Sequence, residues 1–449
     1  MTALMAEAGA SNKGLAKRMR DLAAQRGIAL GTTHVAVQRW RGGAGIRQPA
    51  AGILRDVLSG QLGRRVTVAD LGFAQDVEAG GGADRGYPLC PRDALTALDG
   101  LAGSDPAAAA AGPAAAEDML TDTAVLTWLL ARPDGVPVDT AAVRRVGMRD
   151  VQAIRTAGEM FMKLDFLYGG GHGHRALRHY FRHEVLPLLA ASHSEKVGTA
   201  LYGAATEIAQ LLAWTAYDSG HHNLAHRYLV STLRLTQVTG DRMAGARILS
   251  NLSHQATFLG HHAQGLRFAR AAVEGARHHA TPRAMSLYTA MEARALARAG
   301  DPVGTARAMN EAERHFEKAE TGDDPGWLTY FDAAELQGEL AHCFRDLQQH
   351  RQAVHHAHSA VTQTNPQYAR TLGFCRMVLA QSLLLHGELE AAVDTASLAL
   401  DEGDSLQSAR FLGYVADFQQ AVRSHDGHPH AVLFHDRVQR ALTPAGEED

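Results

Sequence analysis

Apolar residues along this chain recur at the three- and four-residue spacing of helix faces, and the β-branched runs that favour strands are scarce. Ser11 can cap a helix running to about Arg26, with Leu15, Met19 and Leu22 on one face and Gly27 closing it. Before it, residues 3–8 can form at most a short helix. A Gly31-Thr32 turn leads into a helix from Thr33 to about Arg41, stopped by Gly42-Gly43. The next helix follows Pro49 and sets Ile53, Leu54, Val57 and Leu58 at helical spacing.

From Leu201 onward the pattern repeats. Gly220, Gly260, Gly300, Gln348 and Gly387 align as turn markers. Seven residues before them stand Ala213, Ser253, Ala293, Ala341 and Ala380. Five residues after stand Ala225, Gly265, Thr305, Ala353 and Ala392, and twelve after stand Thr232, Ala272, Ala312, Ala360 and Ala399. All these sites are small, as close helix crossings require, and five such hairpins can stack on a continuous core. Residues 408–442 are helical but out of register, as a cap would be. Upstream, residues 151–190 predict leading helices interrupted by Gly169-Gly170-Gly171-His172-Gly173-His174. That cluster follows no strand and lacks Gly-Lys-Ser/Thr, so it reads as a turn and not a phosphate loop.

The expected fold class is all-α: an N-terminal helix-turn-helix bundle followed by an α-solenoid. The expected domains are 1–73, a linker over 74–118, and a repeat domain over 119–449. Within the last, leading helices fill 119–200, repeats run from about 201 to 405, and the cap is 408–442. The linker rests on Gly80-Gly81-Gly82, Ser104-Asp105-Pro106, the alanine run 107–111 and Gly112-Pro113. A short helix at 91–101 can interrupt it, and a further helix should run from about Glu117 to Leu130.

Charge divides the chain. Residues 11–65 hold eleven Lys and Arg against Asp21 and Asp56, a balance of +9, while the whole chain is −4. With Glu7 also set aside, residues 66–449 carry −12. A cationic head on an acidic body suggests binding to a polyanion such as double-stranded DNA. No apolar stretch reaches the ~20 residues of a membrane span. Cys90, Cys343 and Cys375 lie far apart, and no secretion signal precedes the head. A soluble, cytoplasmic protein without a membrane partner is expected.

On the short helix, Thr33, Ala36, Val37 and Trp40 share the side that can pack, and His34, Val35, Gln38 and Arg39 share the other. Gln can bond adenine, Arg can take guanine, and Val can touch a thymine methyl in the major groove. A solvated face on a small bundle is the plain alternative, but the local +9 charge counts against it. Leu15-Ala16, Val37-x-x-Trp40, Gly43, Pro49 and Leu54 resemble the Cro/repressor-type (XRE) helix-turn-helix pattern. The resemblance implies that His34, Val35, Gln38 and Arg39 read bases. The stretch from Leu15-Ala16 to Gly27 is about two turns longer than that family's usual second helix, and the first helix is truncated. Lys13, Lys17, Arg20, Arg26, Thr33 and Arg41 are then the candidate phosphate contacts. The repeat pattern resembles tetratricopeptide (TPR) repeats lengthened to about 40 residues. Together the two halves resemble actinobacterial XRE–TPR regulators, which implies promoter binding, a homodimer held by the repeats, and a peptide or small-molecule effector.

In a TPR-like superhelix the residue six before each turn marker faces the concave side: Trp214, His254, Arg294, His342 and Gln381. Gln210, Arg298 and Arg345 are neighbours on that face and complete a candidate ligand groove. The alternative is a solvated groove, or one filled by a partner subunit. His221-His222 and His261-His262 occupy equivalent turns, yet no carboxylate or Cys joins them at ligand spacing, so neither a metal nor a cofactor is expected. No catalytic constellation is present, and no enzyme activity is expected. The expected function is a sequence-specific DNA-binding transcriptional regulator. The alternative is a TPR adaptor whose helical head binds protein.

Overall fold

All five turn markers adopt the left-handed backbone that reverses a chain between two helices: φ is +82° at Gly220, +87° at Gly260, +75° at Gly300, +59° at Gln348 and +94° at Gly387. Glycine takes this conformation without a Cβ clash, whereas Gln348 is the one non-glycine residue that adopts it among the described residues. The computed structural model describes residues 1–25, 30–41, 50–62, 66, 71, 87–104, 117–137, 145–320, 322–425 and 427–442. Among these the fold is all-α, with a lone backbone bridge between Arg145 and Ser192. The chain divides into two compact units, Met1–Arg85 and Gly86–Asp449.

The first unit contains α1 (Thr2–Glu7), α2 (Asn12–Gln25), α3 (His34–Arg41) and α4 (Ala50–Leu62). Its core includes Leu15, Ala16 and Met19 of α2, Val37 of α3, and Ile53, Leu54, Val57 and Leu58 of α4. The Ser11 hydroxyl accepts from Gly14 N–H at 3.1 Å at the start of α2. Thr33 does the same for Ala36 at 3.3 Å at the start of α3. These are the side-chain caps that begin helices. Gly27, Gly42, Gly43 and Pro49, expected as helix punctuation, lie outside the described residues.

The second unit is an array of helical hairpins. It comprises α5 (Pro91–Gly103), α6 (Glu117–Leu130), α7 (Met148–Tyr168) and α8 (Gly170–Tyr180, prolonged through a π turn at Phe181–Val185 to Leu189). Then come the pairs α9/α10 (Glu195–Asp218, His222–Thr239), α11/α12 (Arg242–Phe258, His262–Ala276) and α13/α14 (Pro282–Arg298, Pro302–Glu317). They are followed by α15/α16 (Ala333–Asp346, His350–Gln363), α17/α18 (Ala369–His386, Leu389–Glu402) and α19/α20 (Ala409–Val422, Pro429–Leu442). The aligned small residues are all buried. At Gly265 a Cβ would come within 2.4 Å of the Thr257 hydroxyl, so the two helices of that hairpin cross too closely for any side chain. Ser194, Asp241, Thr281, Asp332 and Ser408 cap α9, α11, α13, α15 and α19, fixing where the first helix of five of the six pairs begins.

The segment expected as a linker is corrected in part. Helix α5 is not a loose interruption of a joint: Ala94, Leu98, Leu101 and Ala102 are buried in the core of the array. It packs on α10, and α6 packs on α10 and α12, so both cover the outer layer of the array instead of leading it. Arg234 holds this strap with bonds to the Pro88 carbonyl at 3.0 Å and the Asp134 carboxylate at 2.5 Å. Trp128 wedges where only glycine fits, since a Cβ at Gly245 or Gly275 would lie 2.3 Å from its ring. The glycine and alanine runs at 80–82 and 107–113 lie outside the described residues.

The two ends of the array meet. Gln407 N–H donates to the Tyr168 carbonyl at 2.8 Å, and Gly171 N–H donates to the Gln407 carbonyl at 2.9 Å. Gly169 has φ +83°, and a Cβ on it would lie 2.9 Å from that Gln407 carbonyl. Only Gly169 forms the expected turn; residues 170–174 of the cluster are corrected to the first residues of α8, and together they make the seam that joins the leading helices to the cap.

Candidate functional site

Two surfaces carry candidate chemistry, one in each unit. In the first unit, α3 is anchored by fully buried Val37 and half-buried Ala36 and Trp40. His34, Val35, Gln38 and Arg39 are all exposed. Thr33 is exposed too, but its hydroxyl is engaged as the helix cap. Lys13 and Lys17 stand exposed on α2. Arg20 donates from Nη1 to the Thr32 carbonyl at 2.5 Å, tying α2 to the turn that introduces α3. Arg41 donates to Asn12 Oδ1 at 3.1 Å. Each guanidinium has five N–H donors, so both retain others for a phosphate. Arg26 lies outside the described residues.

In the second unit, the first helices of the pairs surround a cavity of about 140 Å³. Five expected groove residues line it: Gln210 and Trp214 of α9, His254 of α11, Arg294 of α13 and His342 of α15. Arg298, Arg345 and Gln381 do not, and the expectation is corrected for them. Arg298 and Arg345 sit about one turn nearer the hairpin turns than Arg294 and His342. There the buried Asp346 carboxylate draws in Arg345 at 2.8 Å and Arg298 at 3.6 Å. Gln381 accepts from Arg345 at 2.7 Å and joins this separate cluster.

The cavity walls hold charged groups that the sequence reading did not single out. Arg294 donates to Glu339 at 2.8 Å. Arg370 lies 2.8 Å from Asp165 and 3.6 Å from Asp218, and Arg410 lies 3.4 Å from Asp218. The Arg410 guanidinium also sits over four rings, 4.6 Å from Tyr217, 4.8 Å from Phe374, 5.2 Å from Trp214 and 5.7 Å from Phe258. Burial pushes Asp165 up to about 6 against the pull of Arg370. Burial, then Glu339 and Asp332, push Glu335 up to about 8. Burial and neighbouring arginines hold His254 and His342 well below the usual imidazole range, so both are neutral at pH 7. His254 Nδ1 shares a 2.9 Å hydrogen bond with the Tyr217 hydroxyl.

Several wall atoms are buried without a hydrogen-bond partner: Asp165 Oδ1, Gln210 Oε1, His342 Nδ1, and the Nε atoms of Arg294, Arg370 and Arg410. Such atoms ordinarily find a partner, so they mark where a polar ligand would be held. Helical spacing contained a signal for three further residues that line the cavity. Arg247 is seven before His254, and Glu335 and Glu339 are seven and three before His342, on the same helix faces.

Beside the cavity runs an outer groove of about 690 Å³, lined by Arg155, Lys196, Thr199, Glu207, Asp241 and Trp327 among others. Gln210 and Arg247 line both spaces. Burial holds the Cys375 thiol up to about 12 and raises Cys343 further, so neither is a thiolate at neutral pH. Among the described residues no three His, Cys, Asp or Glu side chains gather as a metal site, and the histidine pairs at 221–222 and 261–262 form none. No helix among the described residues is long and apolar enough to cross a membrane.

Residues 1–74 are similar to a family described as the SP15 N-terminal domain, a match that covers the first unit's helices and stops before the array. No curated protein matches the chain.

Proposed function

We propose that the protein is a sequence-specific DNA-binding transcriptional regulator of the cytoplasm, with α3 as the reading helix. The observation that carries this is the split of α3. Val37 is locked in the core, while His34, Val35, Gln38 and Arg39 stand free together on a head of strongly positive charge. An amide, a guanidinium and a branched methyl pair at that spacing suit base edges, and Lys13 and Lys17 alongside suit phosphates. Arg20 supports the reading indirectly, because its bond to Thr32 fixes the approach of α3 to α2. The array supplies dimer contacts and senses an effector. Two heads then read half-sites a whole number of ~34 Å turns apart.

Titrating random and genomic duplexes against salt tests this. Arg39→Ala should cost about 1–3 kcal/mol and relax preference at one base pair. Lys17→Ala should weaken all sequences alike and lower the salt slope by about 0.9. Binding without a salt slope or a preferred site would favour the adaptor reading instead.

A further inference from the structure

We propose that the cavity at the centre of the array binds a small organic monocarboxylate, received by Arg247. The proposal deepens the sensing role assigned above, yet its argument needs nothing from the head.

Arg294 is matched by Glu339, and Arg370 and Arg410 are matched by Asp165 and Asp218. Arg247 is buried as well, but no carboxylate lies within ion-pair distance of it among the described residues; Glu207 acts on it from farther away and is itself held by Arg155 at 3.6 Å. Its guanidinium lies over the Trp327 ring at 4.2 Å instead. An arginine buried without a hydrogen-bonded carboxylate is costly, and its planar fork matches one. A single carboxylate on the ligand would supply that partner.

Position makes Arg247 accessible to such an anion. With Gln210 it lines both the outer groove and the inner cavity, so the two side chains stand where the two spaces adjoin and Arg247 can be met from either. Trp327 belongs to a short 3-10 turn, Gly326–Leu328, on the outer side. Inside, Trp214, Phe166, Leu287 and Met291 offer apolar surface for the body of the ligand. The unpartnered Gln210 Oε1 can accept from a hydroxyl or amide on it.

Size and closure narrow the class. The cavity is about ten times the roughly 10–15 Å³ that one water needs, room for a compact molecule. The seam at Gln407 closes the array end to end, so the concave side is not the open trough that an extended peptide requires.

The test uses the purified full chain in calorimetric titrations. Benzoate, 4-hydroxybenzoate, phenylacetate and butyrate are each compared with the matching neutral amide, and inorganic phosphate is titrated alongside. The expected result is saturable binding of at least one carboxylate, one per chain, with its amide at least about tenfold weaker. Arg247→Met should weaken that carboxylate at least about tenfold with helical content unchanged. Arg247→Lys should retain the preference for carboxylate over amide, and it serves if the methionine variant fails to fold. No bound carboxylate, equal binding of amides, undiminished binding by Arg247→Met, or selective binding of phosphate would each overturn the proposal. Duplex binding is measured on the same preparation. Carboxylate binding without DNA binding keeps this site and removes the regulator, and the converse removes only this site.

Discussion

The two units handle charge in opposite ways. The first keeps its cations on the outside: its core residues are apolar, and Lys13, Lys17, Arg39 and Arg41 are exposed. The second draws charge inward, burying Arg247, Arg294, Arg370 and Arg410 with Asp165, Asp218 and Glu339. Exposed charge contributes little to folding and much to long-range attraction. Buried charge does the reverse, because each desolvated group depends on its partner. The head therefore presents its charge to solvent, whereas the centre of the array buries an ionic network in which Arg247 has no ion-pair partner among the described residues.

The largest effect that could break this contrast is at Asp218. It is fully buried, accepts from Gly170 N–H at 2.9 Å, and faces both Arg370 and Arg410. Asp218→Ala would leave two guanidinium groups short of a counter-charge and loosen the seam between α8 and the cap. Denaturant unfolding of the array should show a loss of about 3–5 kcal/mol. A loss below about 1 kcal/mol would mean that the buried charges are not interdependent.

A smaller effect appears in the dependence on pH. Glu335 holds its proton to about 8, well above its ordinary 4.5, because of burial and the nearby Glu339 and Asp332, with Arg370 and Arg294 opposing. Between those limits the folded chain keeps a proton that the unfolded chain has lost, so its contribution to stability falls as pH rises. His254 and His342 act in the other direction. Their lowered values make stability fall as pH drops below about 6.5. Glu335→Gln should flatten the decline between pH 6.5 and 8 and leave the acid limb in place. Melting temperatures across pH 5–9 would check it, and an unchanged alkaline slope would reject the assignment.

The smallest expected effect is at Gln348, the exposed turn residue with φ +59° where the other four hairpins have glycine. Gln348→Gly should raise stability by up to about 1 kcal/mol, measured by the same unfolding, since relief of the left-handed conformation outweighs the added chain entropy. A loss would show that the Gln348 side chain contributes something that its geometry does not reveal.

Much of the fold was legible because its constraints leave single-residue marks. A left-handed turn selects glycine, and a close crossing selects alanine, serine or threonine, so Gly220 and Ala213 could be matched to their counterparts by counting. Part of the cavity was legible by the same register, which placed Trp214, His254, Arg294 and His342 on one side. The rest was hidden for a physical reason. A charged residue on an amphipathic helix looks solvated until its partner is known, and Arg410 meets Asp218 across 192 residues. Helix α5 was obscured by the glycine- and alanine-rich sequence around it, although Ala94, Leu98 and Leu101 already carried a helical apolar face.

The account rests most heavily on α3 as a reader of bases, and one ratio tests that directly. The affinity of the full chain for a duplex selected from genomic fragments, divided by its affinity for random duplex at the same salt, should be large for the natural protein. It should fall at least about tenfold for Arg39→Ala, with random binding little changed. A ratio near one in the natural protein, or a ratio that Arg39→Ala leaves intact, would contradict it.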